Sequence, residues 1–129
     1  MEILINDLKE HPFNKKYFRD LPKKELESLK DDIEKNGLQH PIDIAADEKT
    51  IIGGHQRIKA MKELGYTTLK KTDFKIRENL TDPDDILMWV ITDNVLRRQL
   101  SDPEIGVCAR EMLKIEEKMK KVMNKLWEI

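Results

Sequence analysis

Residues Thr50 to Met61, "TIIGGHQRIKAM", constrain the fold more than any other stretch of the chain. An apolar β-branched run passes through two adjacent glycines into a segment with helical apolar spacing. The period switches from strand to helix where the backbone carries no side chains. Such a turn leaves backbone N–H groups unpaired, and the helix dipole adds partial positive charge beside them. Glycine permits positive φ and close approach of a ligand to the backbone. Arg57, in the first helical turn, can fork onto a phosphate. Two readings fit this local pattern: a phosphate cradle, or a tight turn whose glycines merely fit and whose arginine is solvated. The segment matches neither the "GxxxxGK[ST]" loop nor the "GxGxxG" fingerprint, so those two nucleotide folds are not supported.

The rest of the chain supplies strands and helices to surround this turn. Ile3 to Ile5 reads as a short strand ending at Asn6-Asp7. His11 to Arg19 is polar and aromatic without a steady period and reads as a loop. Leu21-Pro22 opens a helix with Leu26, Leu29 and Ile33 on one face, and Gly37 stops it. Pro41 starts a second strand, "IDIAA"; Asp47 and Glu48 turn the chain, and Thr50 to Ile52 return as a third. A helix then runs from His55 to Leu64 and ends at Gly65. "FKIRE" is a further strand with Phe74 and Ile76 on one face. Asp82-Pro83-Asp84-Asp85 is a helix start, with a cap, a first-turn proline and acids at the positive end of the dipole. That helix runs to about Arg98, and Trp89 on it is most simply core. Ser101-Asp102-Pro103-Glu104 fits a capping box and begins the last helix. The expected class is α+β: a small mixed sheet with flanking helices, residues 1–100, and a C-terminal helical tail, residues 101–129.

At 129 residues, 39% hydrophobic and 38% charged, the chain can bury one modest core beneath a highly charged surface. Its net charge of −1 excludes a globally basic nucleic-acid binder, so a DNA role requires local clusters. Lys15, Lys16 and Arg19, with Lys23 and Lys24, form one cluster, and Lys70-Lys71 another. They are either solvated surface or contacts to phosphate that read no sequence. The lone cysteine, Cys108, permits no internal disulfide and reads as a small buried apolar residue. With no membrane-length apolar run and no secretory signal pattern, a soluble cytoplasmic protein is expected. His11, His40 and His55 lack close metal-ligand spacing, and no protein-held metal site is expected. His55 is either a proton-transfer group beside a phosphate or a polar helix-start residue.

The last helix carries a regular stripe. Ile105, Cys108, Met112, Ile115, Met119, Val122, Leu126 and Ile129 alternate spacings of three and four, the pattern of a heptad seam. It can pack on the chain's own domain or join two copies, and its persistence to the last residue favours a homodimer.

Three segments in order widen the picture. They are "ESLKDDIEKNGLQHPI" from Glu27, "IIGGHQRIKAMKELGY" from Ile51 and "DNVLRRQLS" from Asp93. Their residues and spacing resemble the ParB/sulfiredoxin superfamily, specifically the ParB-like N-terminal domain, over roughly Ile3 to Glu104. The resemblance implies a nucleoside triphosphate, CTP or ATP, bound with magnesium. It places Gly53, Gly54, His55, Gln56 and Arg57 at the phosphates. Gly37, His40, Pro41 and Ile42 would surround base and ribose, and Asp93, Asn94 and Arg97 would contact phosphate and metal. The family pattern Gly-Glu-Arg-Arg is here Gly54-His55-Gln56-Arg57, so one arginine and the acid are replaced. Asp93 stands for a glutamate, and His40 for a glutamine. The "GHQR" form looks closer to ParB-like domains of phages and mobile elements.

By resemblance the expected role is in DNA-associated machinery, partition or regulation, with nucleotide as a switch that rearranges the helices after Asn94. Whether the chain is also a weak CTPase or NTPase stays open. Full-length family members continue into a helix-turn-helix domain beyond the point corresponding to Ile129. Any DNA binding by the present residues is therefore expected to be weak and sequence-indifferent. The alternatives are a phosphotransferase of the same superfamily, with Asp43, His55 or Asp93 as base, and an interaction module with a degenerate site.

Overall fold

The computed structural model describes residues 1–97 and 100–127; the side chains of Leu96, Arg97, Met119, Val122, Met123, Leu126 and Trp127 lie outside that description, as does Ile129. The strands are β1 (Ile3–Leu4), β2 (Lys9–Glu10), β3 (Ile42–Ala45), β4 (Thr50–Gly53), β5 (Thr68–Leu69) and β6 (Phe74–Arg77). The helices are α1 (Pro12–Tyr17), α2 (Lys23–Asn36), α3 (His55–Glu63), α4 (Pro83–Arg97) and α5 (Asp102–Trp127). β2, β4, β3 and β6 form one sheet in that order, with β3 antiparallel to β4 and the outer pairs parallel. β1 and β5 pair separately and antiparallel. The α+β class with a small mixed sheet and flanking helices is therefore the observed one.

Strand alternation sends successive side chains to opposite faces. Ile42, Ile44 and Ile51 join a cluster with Leu26 and Ile33 of α2 and Ile58 and Met61 of α3. Ala45 and Ile52 face the other way and join Phe13, Phe18, Val90, Ile91 and Cys108 from α1, α4 and α5. The β3–β4 turn is closed by Asp47, whose Oδ1 accepts from the N–H groups of Lys49 and Thr50 at 2.9 and 2.8 Å. Its Oδ2 takes the Thr50 hydroxyl at 2.6 Å. Beneath α4, Arg77 pairs with buried Asp43 at 2.7 Å and sits 4.7 Å over the Trp89 ring. Trp89 is half-buried, at the margin of the second cluster.

Two local expectations fail. His11 to Arg19 is not a loop, because Pro12 to Tyr17 is a short helix. His11 caps it, its Nδ1 accepting from Phe13 N–H at 3.1 Å. Six residues are too few to display a period, and the helix is held by tertiary packing of Phe13 and Phe18. Ile5 leaves the first strand and begins a 3-10 turn, Ile5–Asp7, that turns the chain into β2.

The capping box on α5 forms as read. Ser101 N–H donates to Glu104 Oε1 at 2.9 Å, and Glu104 N–H to Ser101 Oγ at 3.4 Å. α5 then folds back along α4, where Lys118 meets Asp84 at 3.3 Å. The heptad stripe divides between two faces. Cys108 and Ile115, seven positions apart, are buried by the chain itself, at 3% and 6% exposure. Ile105 and Met112, the alternate set, are 52% and 37% exposed. Met119, Val122, Leu126 and Ile129 fall outside the described side chains. No described helix is long and apolar enough to cross a membrane.

Candidate functional site

A cleft of about 240 Å³ opens at the carboxyl end of β4, where the two helical layers meet. Gly54, His55, Gln56 and Arg57 line it from the glycine turn and α3. His40 comes from the bend after α2, and Asp93 and Asn94 from α4. The structure thus brings together residues from all three of the quoted segments. Asn14, Leu21 and Leu29 complete the lining.

Both glycines are dictated by their surroundings. Gly54 is the residue before α3 and has φ +96°, in the left-handed region. A Cβ on it would stand 2.7 Å from Ile42 Cδ1 and 3.0 Å from Arg57 Nη2. A Cβ on Gly53 would stand 2.9 Å from Asp43 Oδ2 and 3.2 Å from Asp93 Oδ1. Two carboxylates therefore lie close behind the turn, and the Arg77 guanidinium compensates the first of them.

The remaining predicted residues fall around this centre. Ile42 is buried beneath Gly54, and Pro41 offers its carbonyl to Arg57. Gly37 ends α2 on the surface and does not line the cleft. The Arg97 side chain lies outside the described residues.

The Arg57 guanidinium lies beneath Gly54, where Nη1 donates to the carbonyls of His40 and Pro41, the latter at 3.1 Å. The arginine thereby ties the bend after α2 to the start of α3. Gln56 reaches sideways. Its Oε1 accepts from Leu21 N–H and its Nε2 donates to Asp20 Oδ1, each at 3.1 Å. His55 Nε2 accepts from the backbone N–H of His11 at 3.3 Å. Burial, together with the charge of His11 nearby, pushes the His55 imidazole down to about 4, against a smaller opposing effect of a backbone hydrogen bond at Ile51. His55 is therefore neutral at pH 7 and offers a phosphate no charge. Burial lowers His11 as well.

Asn94 is buried and fixed from two sides, donating from Nδ2 to Asn14 Oδ1 at 3.2 Å and to Val90 carbonyl at 2.9 Å. Asn14 Nδ2 in turn donates to Glu10 Oε1 at 2.7 Å. This chain from β2 through α1 to α4 sets the cleft's far wall. Sequence reasoning missed Asn14, which lies in the segment read as a loop. An asparagine between two phenylalanines in a polar stretch was the only signal, and it does not name a partner eighty positions away.

Of the three candidate bases for phosphoryl transfer, Asp43 is tied to Arg77 and His55 to the His11 N–H. Asp93 is the acidic side chain that borders the cleft among the described residues. Also among the described residues, no group of three or more His, Cys, Asp or Glu is placed to hold a metal ion. A magnesium ion carried in by a phosphate chain could use Asp93 as an oxygen ligand, which suits that ion's habit of binding through few carboxylates.

The basic residues do not form one patch. Lys15 and Lys16 are exposed on α1, which follows the β2 edge of the sheet. Arg19 binds Glu104 at the start of α5, at 3.5 Å. Lys70 and Lys71 are exposed in the turn that leads to β6, on the opposite edge.

Fold and cleft together describe a small α+β domain with a ligand site at a strand–glycine–helix turn. The family model for the ParB N-terminal domain matches residues 1–94, and the chain belongs to that family. A search of curated proteins finds no match. Among solved structures, a pNOB8-like ParB N-domain superposes with a TM-score of 0.68 at 22% identity, covering 99% of this chain and 50% of that one. ParB of Caulobacter crescentus, C-terminally truncated and complexed with CTP-γ-S, gives 0.61 at 24% identity, covering 91% of this chain and 64% of that one. The same protein complexed to the centromeric parS site gives 0.51. At these identities the likeness is one of fold. The chain spans about half the length of the pNOB8-like structure.

Proposed function

We propose that this chain is the nucleotide-binding domain of a ParB-like protein that works on DNA. A nucleoside triphosphate, CTP or ATP, with magnesium binds at the cleft and acts as a switch for partition or regulation. The observation that carries the reading is the convergence on one cleft of the α3 start, Arg57, Asp93 and buried Asn94. The first turn of α3 presents backbone N–H groups to an anion, and Arg57 adds charge beneath it. The Caulobacter crescentus relative is complexed with CTP-γ-S on the same fold, which supports a nucleotide as the ligand class. The separated lysines, Lys15, Lys16, Lys70 and Lys71, suit weak, salt-sensitive contact with DNA phosphates, with Arg19 adding charge beside α1.

Calorimetric titration with CTP, ATP and ADP plus magnesium, with and without DNA, tests this. Binding of a triphosphate, altered by DNA, is the expected result; no binding to any of the three defeats it. Arg57→Ala should weaken binding by roughly 1.5–3 kcal/mol, from the lost charge and the slackened His40–Pro41 bend.

A further inference from the structure

Resting on the nucleotide reading of the cleft, we propose that Gln56 is a positioning residue. It latches the segment Arg19–Leu21 onto α3 and so fixes one wall of the cleft, and it does not bind the phosphates itself.

A carboxamide presents one acceptor and one donor at fixed separation. Here the two are matched to consecutive residues of the segment between α1 and α2. Leu21 N–H can only donate, and it meets Oε1; the Asp20 carboxylate can only accept, and it meets Nε2. That fixes the amide's orientation, and it selects glutamine. Glutamate would have nothing to donate to Asp20 and would repel it. Arginine would satisfy Asp20 but has no acceptor for Leu21 N–H. Asparagine is one methylene shorter.

Lys59, one turn further along α3, seals the same contact, its Nζ 2.7 Å from Asp20 Oδ2. The other side of the segment is anchored independently. Arg19 N–H donates to Glu104 Oε2 at 3.1 Å, at the start of α5. Glu104 holds the segment on the protein, while Gln56 sets how closely its Leu21 end lies against α3. Leu21 lines the cleft, so the latch acts directly on the cleft's width. Water reaches the two bonds to Asp20, so they add little to global stability and can open locally.

The test compares wild type, Asp20→Asn, Gln56→Glu and the double variant Gln56→Glu/Asp20→Asn. Asp20→Asn keeps an acceptor for Nε2 and serves as the reference. Two quantities are read: hydrogen exchange at the Leu21 amide in ligand-free protein, and the Kd for CTP or ATP with magnesium. Gln56→Glu should lower Leu21 protection and nucleotide affinity, each by about tenfold, with a melting temperature close to wild type. In the double variant the donor and acceptor are exchanged, and both quantities should return to within about threefold of Asp20→Asn. Unchanged Leu21 protection in Gln56→Glu overturns the latch. So does an affinity loss that Asn at position 20 leaves unrepaired, which would mean residue 56 meets the ligand itself. If wild type binds no nucleotide, the functional reading fails, and the exchange data alone uphold or overturn the latch.

Discussion

On one face of the four-stranded sheet, α2 and α3 cover Ile42, Ile44 and Ile51 with an apolar cluster. On the other, aromatic and aliphatic groups of α1, α4 and α5 share the interior with buried Asn14, Asp43, Asn94 and Glu104. Each of these polar groups has a named partner from a distant element. The first face supplies non-directional burial, which fixes the sheet on its helices. The second adds directional bonds, which fix the cleft wall against the glycine turn. Both sides line the cleft, α3 through Arg57 and Gln56 and the far wall through Asn14 and Asn94, but only the second side holds its wall with buried polar side chains among the described residues.

The largest loss of stability is expected on the apolar face. Ile44→Ala removes a side chain with no exposed surface and should cost about 2–5 kcal/mol in chemical denaturation. Nucleotide affinity of the folded fraction should be unchanged. If affinity falls with stability, the two faces are not separate.

Acid tests the junction between them. His55 is held well below its ordinary value of 6.5, at about 4, so the unfolded chain takes up protons first as pH falls. The stability this group contributes is complete above pH 6.5 and is lost as pH falls from 6.5 towards 4. The loss should be roughly 2–3 kcal/mol over that window. His11, lowered by burial and accepting from Phe13 N–H, acts in the same direction. In His55→Gln, which keeps an acceptor for His11 N–H, the slope of stability against pH should flatten. An equal slope would show that the pH dependence arises from groups other than His55.

On the polar face, Asn94→Ala leaves Asn14 Oδ1 without its donor and should cost about 1–3 kcal/mol. Here nucleotide affinity should fall further than stability alone explains, the converse of Ile44→Ala. Equal behaviour of the two variants would erase the distinction.

The smallest effect on stability belongs to the outer side of α5. Met112→Glu lies on its exposed face and should change the stability of the monomer by no more than about 0.5 kcal/mol. If Ile105 and Met112 join two copies, light scattering should show a dimer in wild type and a folded monomer in the variant. A wild-type monomer at high concentration rules that dimer out.

Much of the fold was legible because its signals are short-range. The apolar period of α2, the Asp47 turn, the Ser101–Glu104 box and the strand–Gly53–Gly54–helix switch each arise within a few residues. Steric and hydrogen-bonding rules act there without reference to the rest of the chain. The same stretch announced Arg57 as a cleft residue, yet not that its guanidinium would bind the His40 and Pro41 carbonyls. Nor did it foretell that Gln56 would grip Asp20 and Leu21, or that Asn14 would meet Asn94. The α5 stripe shows the limit most plainly. Its heptad spacing is written in the sequence, but among the described residues the fold buries Cys108 and Ile115 and leaves Ile105 and Met112 exposed. Sequence set which residues can form helices, turns and apolar faces, because those preferences are local. Tertiary structure alone decided which donor meets which acceptor, because such pairs join residues far apart in the chain and exist only once the sheet has brought its two layers together.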